Sequence, residues 1–318
     1  MTSVSLDDVA AKMEAGQLLT ESDLDALEGA RNIITMGALA DAVRRKLHGT
    51  EVTFVRVCDV TLDAGPEEEA GPKGPALRTA HGGDRRPGPF GPGDIPPGTG
   101  EIRLFQTPDS LSAAVSTVER LREAAAATPF SAFCLYELSK LPEELPTVLR
   151  AVKQAGLEFL TQAPLDKLKA PEQALQAVAD AGLRLSRLTL NNTPERKWTD
   201  VCREVAAHQR RVPLLRAFAP LPREIDRTQP TTGYADVKRI AIARMLIQNV
   251  DMIQVDWALY GPKLAQVALT FGADDIDSVA AYDDETHGHR RSTVEEIRRS
   301  IQAASMTPVE RNGRFERI

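Results

Sequence analysis

Few residues of this chain combine reactive side chains with a suggestive spacing. Trp257 follows the short apolar run Met252-Ile253-Gln254-Val255, and Asp274, Asp275 and Asp277 follow a helical period that stops at Gly272. An indole at a strand end can stack on a planar substrate, and acids just beyond a helix stop can line the mouth of an α/β barrel, so these four residues are the candidate binding set. Plainer readings stand beside it: Trp257 as a core or rim aromatic, and the aspartates as carboxylates that complement a helix N-terminus. Asp283-Asp284-Glu285 with His287-Gly288-His289 brings oxygen and imidazole donors close together. A His-x-His in a polar loop without fixed geometry is ordinarily solvated, and no metal site is expected there. His208, alone on a helical pattern, reads as a surface or core-edge residue rather than a base. The three cysteines, Cys58, Cys134 and Cys202, are odd in number and far apart, which fits reduced buried thiols better than a disulfide framework.

The elements that must position these residues follow from periodicity. Over 5–47 the chain reads as helices, with Ser5 or Asp7 opening the first and Thr20 with Asp23 forming a capping box; these helices are expected to close one end of the fold. Val52, Phe54, Val57 and Val60 alternate as in a first strand. From 63 to 100 Pro and Gly dominate, with too little apolar surface to order the segment, so a long insertion or solvated linker is expected. Strand and helix patterns then alternate from Glu101 to the end. Val237, Ile240, Ala241, Met245 and Leu246 mark a helix, 252–255 a buried strand, and Leu264, Val267, Ala268 and Leu269 a further helix. Such alternation implies right-handed βαβ crossovers and a parallel sheet.

Composition narrows the classes. At 318 residues, 42% hydrophobic, the chain can bury a full core as one large domain. A formal net charge of -6 offers no basic field for a polyanion, so no nucleic acid partner is expected. No run reaches the roughly 18 apolar residues of a spanning helix, and no signal-like segment opens the chain, so no membrane association and a cytoplasmic location are expected.

The stretch TTGYADVKRIAIARMLIQNVDMIQVDWALYGPKLAQVALTFGADDID resembles the C-terminal half of the menaquinone-pathway radical SAM enzymes, aminofutalosine synthase and dehypoxanthine futalosine cyclase. The closing MTPVERNGRFERI and the helical region from Leu6 to Phe54 are similar to that family as well. The resemblance implies a (β/α) TIM-type barrel, closed or partly open, with an N-terminal helical cap over 1–50 and the barrel over 51–318; periodicity alone does not choose a barrel over an open sheet. It also implies a CxxxCxxC motif after the first strand, because three thiolates hold a four-iron cluster and leave one iron for SAM. Here Cys58 stands alone in Val55-Arg56-Val57-Cys58-Asp59-Val60. Where the family has Gly-Gly, a Gly-rich run ending in Ala-Glu, and Gly-His, this chain has Phe105-Gln106-Thr107-Pro108, Thr161-Gln162-Ala163-Pro164 and Asn191-Asn192.

The expectation is therefore a degenerate member of that family, with the iron-sulfur cluster and SAM lost and with no other cofactor. It would act as a non-catalytic or regulatory partner of a homologous barrel protein in menaquinone biosynthesis by the futalosine pathway. A SAM-independent enzyme using Trp257, Asp274, Asp275 and Asp277 on a small aromatic or nucleoside-like ligand is the alternative. An active radical SAM enzyme with a rearranged cluster is a third reading.

Overall fold

A computed structural model of the protein describes residues 4–62, 77–79, 95–224, 232–281 and 294–318. Three helices come first: α1 (Leu6–Glu14), α2 (Glu21–Gly29) and α3 (Ile33–His48). Both early helices open on capping boxes, Ser5 with Asp8 and Thr20 with Asp23. The Asp23 carboxylate also receives Lys12 Nζ at 2.7 Å, and that contact, with the bonds from Thr20, holds its pKa down at about 2.

The long strand β1 (Glu51–Leu62) pairs antiparallel with the short β2 (Leu77–Thr79) and then leads, across the segment that ends at Gly100, into β3 (Glu101–Leu104). From there strands and helices alternate: α4 (Leu111–Ala125), β4 (Phe130–Cys134), α5 (Leu135–Leu138), α6 (Leu145–Ala155), β5 (Phe159–Pro164), α7 (Pro171–Asp180), β6 (Arg184–Leu190), α8 (Trp198–Arg211) and β7 (Leu215–Pro222). The last units are α9 (Gly233–Leu246), β8 (Met252–Asp256), α10 (Trp257–Leu269), β9 (Asp275–Ala280), α11 (Val294–Ala303) and β10 (Thr307–Glu310).

All the strand pairs from β1 through β3 to β9 are parallel, and β9 returns to pair with β1, with Thr53 opposite Asp275. The result is the expected TIM-type barrel, closed by eight strands. β10 takes the lower part of the edge that β1 also gives to β3: Glu51–Phe54 pair with Thr307–Glu310, while Val57–Val60 pair with Glu101–Leu104. The apolar core lies between the barrel wall and its helices, with Phe54, Ile102, Leu160, Leu188, Phe218 and Ile253 fully buried.

The first three helices pack against α8 and α9, and α3 reaches the turn that leads into β9. Glu28 of α2 accepts from the backbone N–H groups of Trp198 and Thr199 at the start of α8, satisfying donors that every helix N-terminus leaves free. Lys238 of α9 donates to the carbonyls of Glu28 and Ala30, and Tyr234 to that of Arg31. C-terminal residues lie across the lower end of the barrel: the Phe315 ring lies 6.4 Å from that of Phe159, and the Arg311 guanidinium stacks on it at 4.2 Å. The expected insertion over 63–100 and the acidic and histidine segment at 283–289 lie largely or wholly outside the described residues. Where the description resumes, Gly100 is tied to the barrel by a bond from its N–H to the Arg56 carbonyl and one from Gly313 N–H to its own carbonyl. Among the described residues no helix is long and apolar enough to cross a membrane.

Candidate functional site

Side chains alternate across a strand, so every second residue of each barrel strand points into the lumen. In most barrels those positions are apolar layers. Here many are charged. Glu101 and Arg103 on β3, Arg187 on β6, Asp256 on β8 and Asp275 and Asp277 on β9 are all buried.

The lower layer is centred on Asp275. Its carboxylate accepts from Arg311 Nε and Nη2 at 2.7 Å each, from Thr53 Oγ1 at 2.5 Å and from Gln254 Nε2 at 2.7 Å. Burial alone would raise this acid, but the Arg311 charge and these bonds hold it below its ordinary range. The middle layer joins Arg103 to Glu101 at 2.6 Å and to Asp277 at 2.8 Å, with Ser131 donating to Glu101 at 2.6 Å. Against a large burial penalty, the Arg103 charge keeps Glu101 ionised, with a pKa of about 2. Arg187 is the second guanidinium on Asp277 and also donates from Nε to the Thr161 carbonyl at 3.2 Å. Burial, and then the like charges of Arg103 and Arg223, push Arg187 well below its ordinary pKa.

Nearer the mouth, Asp256 accepts from Arg223 at 2.6 Å and from Ser278 at 3.0 Å. Its other oxygen takes the Leu259 N–H at 2.9 Å, so one carboxylate caps α10 and faces the lumen. Ser278 has φ +57 inside β9, a conformation that a non-glycine residue rarely takes, and the resulting break in alternation lets it accept from Arg103 beside Asp277. Asp59 lies opposite Arg103 in the β1–β3 register. Burial raises its carboxyl, opposed by the charges of Arg103 and Arg187.

The residues singled out in sequence are spread through this arrangement. Asp274 and Asp275 stand where β9 begins, so they lie at the lower end of the barrel and not at its mouth. Asp274 serves the wall: it receives Arg244 Nη2 at 2.5 Å and the Ile253 N–H at 2.8 Å, below a turn in which Gly272 has φ +96 and Arg244 fills the space that a Cβ would need. Asp277 is in the lumen, but its oxygens are taken by two arginines. The helix N-terminus reading fails for all three, because a strand follows them; Asp256 is the aspartate that caps a helix. Trp257 does follow a strand at the mouth side, as the first residue of α10, and is buried, with no partner for its Nε1. His208 is buried on α8 beside Glu204 at 3.4 Å. Sequence reasoning missed Asp59, Glu101, Arg103, Arg187, Asp256 and Arg311. The signal was present in Glu-Ile-Arg-Leu, where charges recur at alternate positions of an apolar strand, and in the charge of Arg187 within Leu-Ser-Arg-Leu-Thr-Leu.

The cysteines test whether an iron-sulfur cluster fits. Cys58 is opposite Ile102 in the register and packs in the apolar core, on the face of β1 away from Asp59. Burial pushes its thiol up to about 12. Cys134 ends β4 and Cys202 lies on α8, and burial raises both thiols as well. Three thiols on separate elements, each kept protonated, do not fit a cluster that is held by thiolates.

The pattern of the CofH/MqnC C-terminal region matches residues 221–318, a span that includes Arg223, Asp256, Asp277 and Arg311. The last third of this chain resembles that family. Aminodeoxyfutalosine synthase of Streptomyces coelicolor is 40% identical over 96 residues, 28% of this chain and 25% of that protein. The enzyme of the same name from Thermus thermophilus is 32% identical over 111 residues, 32% of this chain and 30% of that protein. The 5-amino-6-(D-ribitylamino)uracil--L-tyrosine 4-hydroxyphenyl transferase of Methanocaldococcus jannaschii is 34% identical over 109 residues, 31% of this chain and 30% of that protein. The chain thus spans less than a third of the length of these relatives, a narrower match than the resemblance that reaches back to Leu6. Solved structures extend the likeness in fold. Methylornithine synthase (PylB) superposes with a TM-score of 0.63 at 13% identity, covering 94% of this chain and 97% of its own. The hydrogenase maturase HydG gives 0.64 at 10% identity, covering 97% of this chain and 76% of its own.

Proposed function

We propose that this chain is a cluster-free homologue of aminodeoxyfutalosine synthase that serves menaquinone biosynthesis by the futalosine pathway as a non-catalytic, regulatory partner of a homologous barrel. The observation that carries the reading is the place of Cys58. It is the one cysteine on the strand that should present a cluster, and its thiol faces the apolar core instead of the mouth. The ion pairs that cross the lumen support the same reading, since Arg103, Arg187, Asp256 and Asp277 are engaged with one another.

A second reading, a SAM-independent enzyme acting on an aromatic or nucleoside-like substrate, is favoured by Asp59. A partly buried carboxyl whose pKa is raised by burial is the kind of group that can take up and release a proton. Anaerobic purification and reconstitution with iron and sulfide tests the first reading. The protein is expected to retain no stoichiometric cluster, and to co-purify with a homologous barrel from cells that make menaquinone. Retention of about four irons and four sulfides per chain would overturn it in favour of a radical SAM enzyme.

A further inference from the structure

Among the buried polar atoms of the described residues that lack a hydrogen-bond partner are Asp59 Oδ1 on β1 and Arg187 Nη2 and Thr189 Oγ1 on β6. Buried polar groups are nearly always paired, so each such group calls for an explanation. Arg187 and Thr189 are two apart on β6 and so share its lumen face. Asp59 lies opposite Arg103 in the β1–β3 register, on the same side of the sheet, and Arg103 shares Asp277 with Arg187. Asp59 and Arg187 do not satisfy each other because the guanidinium is already fixed by Asp277 and by the Thr161 carbonyl.

The unmet demands are complementary. Arg187 Nη2 offers an N–H, Thr189 a hydroxyl that can donate or accept, and Asp59 an oxygen. Beside them Phe105, just past the end of β3, leaves 36% of its surface exposed, and the guanidinium carbons of Arg103 and Arg187 each lie 5.9 Å from its ring centroid. A planar face therefore adjoins a donor and an acceptor. A ligand carboxylate would add negative charge next to Asp59, Glu101, Asp256 and Asp277, and a ligand cation would meet Arg103 and Arg187. An uncharged edge that carries a donor next to an acceptor satisfies both sides without burying a new charge.

We propose that the upper lumen binds an uncharged planar heterocycle through an amide-type edge, with an N–H or amino group to Asp59, a carbonyl or ring nitrogen to Arg187 and Thr189, and the ring against Phe105. This extends the regulatory reading above, because a bound heterocycle is what such a partner would sense. The two fail separately: iron and sulfide content decides the one, ligand titration the other.

Calorimetry and saturation-transfer NMR on the full chain, with uracil, cytosine, adenine and hypoxanthine as probes and 1,3-dimethyluracil as a control without N–H donors, test the site. At least one of the four should bind in the millimolar range or tighter, and the control should not. Asp59→Asn, which keeps the shape of the side chain, and Phe105→Ala, at an exposed position that leaves the fold intact, should each weaken binding roughly tenfold, as loss of a hydrogen-bonding or stacking partner does. Circular dichroism confirms that both variants are folded. Absence of binding by all four probes would overturn the proposal and leave ordered water as the partner of these atoms. Equal binding of 1,3-dimethyluracil, or binding indifferent to both substitutions, would overturn it as well.

Discussion

The lower and upper parts of the lumen use the same residue types and differ in how completely their polar atoms are bonded. Below, the two oxygens of Asp275 receive four donors from three directions, and in that cluster Gln254 Oε1 is left without a partner. Above, Asp59, Arg187 and Thr189 each leave an atom unpaired. A saturated buried network rigidifies a fold, whereas an unsaturated one costs stability unless something else completes it. The lower layer joins β1, β8, β9 and the C-terminal segment and so serves the closure of the barrel. The upper layer holds the groups that remain available to a ligand.

Substitutions at the two levels should therefore differ in size and in sign. Arg311→Met leaves Asp275 as a buried charge without its cation and should destabilise the protein by about 3–5 kcal/mol in urea denaturation. A loss below about 1 kcal/mol would mean that the lower layer contributes little to closure. Thr53→Val keeps the side-chain shape while removing one bond to a charged group, and a loss of about 1.5–3 kcal/mol is expected.

Asp59 should reverse the trend. Its folded pKa is raised above 3.8, so as pH rises past that value the unfolded chain has released a proton that the folded chain still holds, and stability falls. Glu101, with a folded pKa of about 2, does the opposite: its contribution is present above pH 4.5 and is lost as pH falls toward 2. Stability curves of the protein and of Asp59→Asn between pH 4 and 8 should therefore diverge, with the variant lacking the decline; parallel curves would show that Asp59 is ionised throughout. Phe105→Ala, the smallest effect, should change stability by no more than about 0.5 kcal/mol, as at other exposed positions. A larger loss would make Phe105 part of the wall and not a platform.

These differences mark what the sequence could disclose. Local chemistry was readable: Thr20 and Asp23 form the capping box their spacing predicts, and the helix and strand alternation from Glu101 onward is that of the structure. Barrel closure was not, since periodicity reports one element at a time and the β1–β9 pairing joins residues more than 200 positions apart; the resemblance supplied it. The site was harder still. Asp274, Asp275 and Asp277 are visible as acids, but only the start of β9 decides that Asp274 belongs to the wall while the other two enter the lumen. Their partners are remote as well, with Arg103 174 residues from Asp277 and Arg311 36 residues from Asp275. The parity of β1 could have been read: alternation from Val52 puts Cys58 on the apolar face and Asp59 on the other.

The position of β10 also bears on how the chain is made. β1 leaves the ribosome early, yet Glu51 needs Thr307 on one edge and Thr53 needs Asp275 on the other. Until β10 and the residues that follow it emerge, the first strand lacks one of its two neighbours at its lower end, and the floor residues Arg311 and Phe315 are missing. An exposed strand edge of this kind is a site of mispairing during synthesis. Completion of the barrel wall therefore waits for β10, and a chain interrupted before it would leave β1 as an open edge.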